Sequence, residues 1–148
     1  MFVRALHVVI EEAEIAARVR KALDGVGQIM DLTFACDAGV VKIGGKFQMG
    51  LSVPFATDWT AEALENGRKL GVRLAKVSVS LFGLSAANVS AQVMNVLAQK
   101  LRGVPGVEVR SDVLEIDPAA LLADKGVRLE GRVRRIDVLP GRVEVEVG

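Results

Sequence analysis

Residues 40 to 55 read VVKIGGKFQMGLSVPF, a stretch in which apolar and polar side chains alternate through three glycines. A repeat of two residues is typical of a β-strand with one buried face. At about 3.3 Å per residue, a single strand of this length would reach about 50 Å, far beyond the usual five or six residues. We therefore predict a long strand that bends at its glycines around another part of the chain. Its apolar face would carry Val41, Ile43, Phe47, Met49, Leu51, Val53 and Phe55.

In two later segments, the alternation of apolar and polar residues shifts by one residue. Between residues 70 and 82 the apolar positions move from even to odd numbers, which predicts a β-bulge near Ala75 and Lys76. The same shift around the adjacent Arg134 and Arg135 predicts a second bulge. The DAG at 37 to 39 and Pro140-Gly141 supply turn residues, so each is expected to close a hairpin. Bulges and glycines are the features that curl a sheet.

Four segments have the features of helices. EEAEIAARVRKAL carries acids at its start and bases near its end, which predicts a helix beginning at Glu11 and stopped by Asp24 and Gly25. Thr60 is a candidate cap for a short second helix, and Asp117-Pro118 starts another. The clearest helix covers residues 86 to 102 after Ser85, with an apolar stripe long enough to fill a concave sheet. The predicted fold class is α+β, with a strongly curved antiparallel sheet of about six strands wrapped around this long helix and with additional short helices, in a single domain spanning 1–148.

Composition restricts the partners. Hydrophobic residues make up 51% of the chain, and its mean hydropathy is +0.36, while aromatic residues are only 4%. No apolar run approaches the roughly 20 residues that span a bilayer, so the aliphatic surplus is expected in a core, a cavity or an interface. The net charge of +1 offers no field that would gather nucleic acid, and no nucleic-acid partner is predicted.

No catalytic or metal-binding motif is visible in the sequence. His7 is the single histidine, so neither a histidine-based triad nor a multi-histidine metal site can be assembled. Cys36 shares a strand face with Phe34 and is expected to be a core residue rather than a reactive thiol. The arginines near the C-terminus alternate with acids, which favours cross-strand ion pairs over a nucleic-acid patch. We expect a protein that is not an enzyme and uses no metal or cofactor.

The order of these elements resembles bacterial members of the tubular lipid-binding (TULIP) superfamily. The resemblance is carried by VVIEEAEIAARVRKAL, by DLTFACDAGVVKIGGKF and by VLEIDPAALLADKGVRLEGRV, and it extends over most of the chain. It implies a curved antiparallel sheet around a long helix, with a lipid or another apolar molecule bound between them. Many bacterial relatives carry a signal or an anchor, whereas MFVRALHVVI lacks an apolar h-region and is followed at once by Glu11 and Glu12. The chain as given is therefore expected in the cytoplasm, and at the membrane periphery or in the envelope if its native N-terminus is longer.

Two functions remain open. The first is binding of a lipid or other apolar small molecule between sheet and helix, with contact to a membrane periphery. The second is a structural or oligomeric assembly role without a ligand, in which the valine-rich FVRALHVVI is an edge strand that pairs with another copy. The lining predicted for the apolar pocket consists of Phe47, Met49, Leu51, Val53 and Phe55 on the sheet and of Val93, Met94 and Leu97 on the helix.

Overall fold

A computed structural model describes residues 1–23, 29–48, 50–79 and 86–148. The helices in these ranges are α1 (Glu12–Ala22), α2 (Ala86–Lys100) and α3 (Pro118–Asp124), with a 3-10 turn at Glu65–Gly67. The strands are β1 (Phe2–Val3), β2 (Leu6–Glu11), β3 (Ile29–Asp37), β4 (Val40–Gln48), β5 (Ser52–Leu64), β6 (Lys69–Val79), β7 (Val107–Arg110), β8 (Val113–Ile116), β9 (Arg128–Leu129), β10 (Val133–Leu139) and β11 (Arg142–Val147).

The largest sheet has six strands in the order β3-β4-β5-β6-β8-β7, and all its neighbours are antiparallel. The predicted single strand over 40–55 is wrong, because the chain reverses near Gly50 and β4 pairs with β5. Phe47 lies opposite Val53, and Gln48 lies opposite Ser52. Odd-numbered residues therefore face odd-numbered residues across this hairpin. The alternation continues in phase through the turn, which is why the sequence looks like one strand.

Both predicted bulges are confirmed. Asp58 pairs with Lys76 while Trp59 pairs with Leu74, which leaves Ala75 as the extra residue of β6. In the C-terminal hairpin, Val133 pairs with Val147 and Arg135 pairs with Glu146, so Arg134 is the extra residue of β10. The hairpin turns at 37–39 and 140–141 are also where the sequence placed them. Phase slips and turn residues are local signals, and the structure follows them.

A second sheet of three strands, in the order β10-β11-β2, packs on the apolar face of the first. Cys36 of β3 is buried in one cluster with Val138 and Val143. The hairpin turns of the two sheets are joined by hydrogen bonds, because the Gly39 N–H donates to the Val138 carbonyl at 2.8 Å and the Gly141 N–H donates to the Cys36 carbonyl at 3.0 Å. The strands β1 and β9 form a separate two-stranded parallel sheet.

The predicted fold class is wrong: the sheet is not strongly curled, and no long helix fills a trough, since α2 has 15 residues. One reason is the role of the glycines. A Cβ on Gly44 would lie 2.9 Å from Thr33 Oγ1, so this glycine permits close packing of β3 on β4 rather than a bend. The other reason is that one sheet face is shared among α1, α2 and the three-stranded sheet, as the packing of α1 on β3, of α2 on β6 and of β10 on β5 shows.

The remaining helix predictions had mixed outcomes. The α1 helix begins after Glu11, and α3 follows Asp117, whose Oδ1 accepts a hydrogen bond from the Ala120 N–H at 3.2 Å. The short helix expected after Thr60 is wrong, since β5 continues to Leu64. Tertiary pairing of β5 with β4 and β6 prevails there over the local helix signal. The predicted stops at Asp24 and Gly25 and the cap at Ser85 lie outside the described residues.

Candidate functional site

The candidate site is a cleft between two helices, which we call the interhelical cleft. On one side α1 packs against β2 and β3, and on the other α2 packs against β6 and β7. Within the described ranges the two helices make no extensive contact with each other, so the central strands form a floor between them. The cleft encloses a cavity of about 60 Å³. Its lining consists of Val19, Leu23, Ile29, Leu32, Ile43, Phe55, Thr57, Trp59, Val93, Val96 and Leu97.

The α1 wall is positioned by its amphipathic pattern and by an arginine. Ile15, Val19 and Leu23 are four residues apart, so they lie on one face of the helix, which is turned to the sheet. Arg20 reaches over this face, with its guanidinium carbon 5.1 Å from the centre of the Phe34 ring. The same guanidinium donates a hydrogen bond to the Leu32 carbonyl at 3.3 Å. These contacts fasten α1 to β3, which is the outer strand of the floor.

The α2 wall is anchored by two buried residues on its sheet-facing side. Val89 packs with Phe47, Val53 and Phe55, and Met94 packs with Trp59 and Leu74. The half-buried Val93 contributes to both clusters, since it packs against each of them. This leaves Val93, Val96 and Leu97 along the cleft, where they are half-buried.

Among the described residues that line the floor, Trp59 carries an indole N–H and Thr57 carries a hydroxyl. Its Oγ1 donates a hydrogen bond to the Ile43 carbonyl at 2.6 Å and accepts one from Trp59 Nε1 at 2.8 Å. Thr57 is only 2% exposed, so water does not compete for these bonds. The described lining therefore offers a ligand apolar surface and no charge.

The predicted pocket residues are divided among three places. Phe55, Val93 and Leu97 do line the interhelical cleft. Phe47, Val53 and Met94 are buried in the core, and the rings of Phe47 and Phe55 lie 4.5 Å apart. Leu51 is 65% exposed near the β4–β5 turn, and Met49 lies outside the described residues. The predicted wall was placed on a single strand, whereas those residues belong to a hairpin that continues past the cleft.

Sequence reasoning missed the contribution of α1 and β3. The signal for Val19 and Leu23 was present, because Ile15, Val19 and Leu23 repeat every four residues. Trp59 was not predicted to belong to a strand, because Thr60 was interpreted as the cap of a helix, although Trp59 continues the alternation of Val53, Phe55 and Thr57. Nothing local indicates that α1 and α2 would lie on either side of the same strands.

A larger groove of about 500 Å³ runs between α2 and the β7–β8 turn. Its lining mixes apolar residues with Ser90, Asn95, Ser111 and Asp112, and it is open to solvent. Asp112 is engaged with Arg73, whose Nη1 lies 3.3 Å from its carboxylate. The interhelical cleft is smaller, but its lining is more uniform in chemistry and less open to water.

The Cys36 thiol lies in surroundings that keep it protonated. Burial raises the pKa of the Cys36 thiol, and the charge of Glu12, whose Oε2 accepts a hydrogen bond from the Cys36 N–H at 3.0 Å, raises it further. A thiol held protonated in this way is a poor nucleophile.

The described ranges contain no group of three histidine, cysteine or acidic residues placed to hold a metal ion. The described helices are also too short or too polar for any of them to cross a membrane.

Comparison with known proteins gives no match to a protein-family model, a curated protein or a solved structure.

Proposed function

We propose that the chain binds an apolar molecule, such as the acyl chain of a lipid, in the interhelical cleft. The observation that supports this proposal is the lining of the cleft, which is apolar apart from a threonine whose hydroxyl is satisfied by Ile43 and Trp59. Ligand pockets are typically lined in this way, and each buried methylene of a ligand contributes about 0.8 kcal/mol. This binding role involves no catalytic step. The interhelical cleft takes the place of the pocket that was predicted between one strand and one helix.

The size of the cavity bears on how the ligand enters. At about 60 Å³ it is well below the roughly 300 to 1,000 Å³ of a pocket for a drug-sized ligand. A full acyl chain therefore requires α1 and α2 to move apart. α1 packs mainly on β3 and α2 packs mainly on β6, whereas the two helices make no extensive contact with each other, so their separation breaks few direct contacts between them. Ligand binding is expected to widen the cleft while the floor stays in place.

The experiment fills the cleft with a larger side chain. Val96→Trp places a ring in the cavity, and Gln92→Trp places the same ring on the exposed side of α2 as a matched control. Titration with the fluorescent fatty acid cis-parinaric acid should show binding to the original protein and to Gln92→Trp. Binding to Val96→Trp should be weaker by about tenfold or more, which corresponds to about 1.4 kcal/mol. Thermal melting of both variants checks that the fold is retained.

Native mass spectrometry of freshly purified protein gives an independent result. A retained lipid-sized mass that Val96→Trp loses would support the proposal. A protein that carries no ligand and takes up no fatty acid would contradict it, as would equal binding by both tryptophan variants.

Contact with a membrane surface remains a prediction, and the exposed Leu51 is a side chain that would meet the bilayer. Leu51→Asp should then reduce co-sedimentation with phosphatidylcholine vesicles.

The second candidate function is an assembly role without a ligand. It is favoured by β2, which lies at an edge of the three-stranded sheet and exposes Leu6 and Val9. The two functions separate experimentally. An assembly protein would self-associate while it carries no bound mass, whereas a carrier would lose its ligand in Val96→Trp whatever its oligomeric state.

A further inference from the structure

The second strand of the chain has one unpaired side in the part of the structure that is described. In the order β10-β11-β2, the strand β2 bonds only to β11. Val9 on this strand is 44% exposed although it is a β-branched apolar residue. Open strand edges are templates for pairing with another chain, and proteins usually protect them with charges, prolines or bulges. Residues 6 to 10 have no acid, lysine, arginine or proline.

The backbone groups that point away from β11 can be identified. The Glu12 N–H donates to the Gly141 carbonyl at 2.9 Å, and the antiparallel register continues from this pair through Ile10 opposite Val143. In an antiparallel ladder, backbone groups of alternate residues point to opposite sides of the strand. The even-numbered residues of β2 therefore bond to β11. The N–H and carbonyl groups of His7 and Val9 point to the open edge.

On the outer face of this sheet, two cross-strand rows place an acid opposite an arginine or the histidine, whereas the row between them has Asp137 opposite Glu144. Arg135 lies opposite Glu146, and Glu146 lies opposite His7. In the same sheet, Arg142 lies opposite Glu11. The His7 imidazole and the Glu11 carboxylate both lie on this outer face beside the open edge, and Glu11 also takes part in the capping box of α1 with Glu14. An imidazole N–H can donate a hydrogen bond to a carboxylate, so the two side chains are complementary. Cross-strand pairs of opposite charge stabilise a sheet, and like charges directly opposite destabilise it.

We propose that β2 pairs antiparallel with β2 of a second copy, around a two-fold axis at Val9. In this register Val9 faces Val9 of the partner subunit, and His7 faces Glu11 of the partner subunit. The two rows then read Arg135, Glu146, His7, the partner's Glu11 and the partner's Arg142. The Val9 N–H donates to the partner's Val9 carbonyl, and this bond occurs twice by symmetry. The two three-stranded sheets become one continuous sheet of six strands.

The contact between His7 and the partner's Glu11 selects this register from its neighbours. If each strand is moved by one residue along the other, His7 lies opposite the partner's Val9. If each strand is moved by one more residue, His7 lies opposite the partner's His7. Neither arrangement gives the Glu11 carboxylate a partner across the axis. The inference does not depend on a ligand in the interhelical cleft, because β2 contributes no residue to that lining.

Disulfide cross-linking tests both the contact and its register. Paired Val9 residues would have Cα atoms about 5.5 Å apart, within the range of about 4.4 to 6.8 Å that a disulfide requires. The two copies of residue 7 would be offset by four residues, or about 13 Å. With diamide as oxidant, Val9→Cys should therefore form a cross-linked dimer and His7→Cys should not. The native Cys36, at 7% exposed, is too buried to compete.

Sedimentation equilibrium on the unmodified chain provides the second measurement. We expect a dimer at micromolar concentration, and Val9→Lys, which places two ammonium groups opposite each other, should raise its dissociation constant by about tenfold or more. Melting curves check the fold of each variant, in which an exposed side chain is changed. The proposal is overturned if the unmodified protein is a monomer up to about 100 times that concentration. Equal cross-linking of His7→Cys and Val9→Cys would also overturn it, because the register would then be wrong.

Discussion

The substitution Thr57→Val tests the hydrogen bonds that hold the floor of the interhelical cleft. Valine has nearly the same shape as threonine, so the change removes the hydroxyl without leaving a cavity. The Trp59 indole N–H loses its acceptor at 2.8 Å, and the Ile43 carbonyl loses a donor at 2.6 Å. A buried donor left unsatisfied costs about 1 to 3 kcal/mol, and an ordinary lost hydrogen bond about 0.5 to 1.5 kcal/mol.

We expect Thr57→Val to lower the free energy of unfolding by about 2 to 3 kcal/mol, with the indole N–H as the larger contribution. For a chain of this size, that loss corresponds to a melting temperature lower by about 4 to 12 °C. Urea unfolding followed by far-ultraviolet circular dichroism measures it at fixed protein concentration. Thr60→Val is the matched control, because Thr60 is in the same strand on the opposite face. Its effect should stay within about 0.5 kcal/mol.

A double-mutant cycle identifies the physical cause. Trp59→Phe removes the indole N–H, so Thr57→Val in that background should cost less by about 1 to 2 kcal/mol. The explanation would be refuted if the cost of Thr57→Val were the same in both backgrounds. It would also be refuted if Thr57→Val were no more harmful than Thr60→Val.

Three further predictions concern other parts of the molecule. Met94→Ala should lower the free energy of unfolding by about 2 to 5 kcal/mol in urea titration, because Met94 is buried against Trp59 and Leu74. Asp117→Ala removes the cap of α3 and should cost about 1 kcal/mol in the same titration, whereas a cost near zero would contradict the cap. Since burial, followed by the charge of Glu12, raises the pKa of the Cys36 thiol, the folded state retains this proton longer than the unfolded state. Stability should therefore fall as the pH rises past about 8.5, and Cys36→Ala should remove that part of the pH dependence.

Features encoded by a few neighbouring residues could be predicted from the sequence. The bulges at Ala75 and Arg134 follow from a one-residue slip in a period of two. The start of α3 follows from an aspartate before a proline. Ion pairs in the C-terminal hairpin were also expected. The Nε of Arg135 lies 2.9 Å from Oδ2 of Asp137 and 3.4 Å from Oε2 of Glu146. Each of these features depends on spacing along the chain and not on distant partners.

Where an element could satisfy its pattern in two ways, the sequence was ambiguous. The alternation over 40–55 fits one long strand as well as a hairpin, because Phe47 and Val53 are an even number of residues apart and face each other. Trp59 and Thr60 fit a helix start locally, but pairing of β5 with β4 and β6 makes them part of a strand. Neither choice could be made without knowing which strands are neighbours.

The candidate site shows the same division. Sequence periodicity identified Phe55, Val93 and Leu97 as apolar residues facing inward, and they do line the interhelical cleft. It did not place them beside Val19 and Leu23, which come from a helix far away in the chain. It also placed Phe47, Val53 and Met94 in a pocket, whereas they are packed in the core. Periodicity gives the face on which a side chain lies, but it does not give the group that covers that face.

The sequence by itself determined the hairpin turns at 37–39 and 140–141, the two bulges and the cap of α3, because sterics and local hydrogen bonding act between residues close in the chain. Only the tertiary structure decided that α1 and α2 lie apart above the central strands and that β2 ends its sheet with an open edge. Those arrangements depend on contacts between distant segments, whose free energies come from burying two surfaces together. Many pairings of apolar faces satisfy the same pattern, and the one adopted is the one that packs all of them at once.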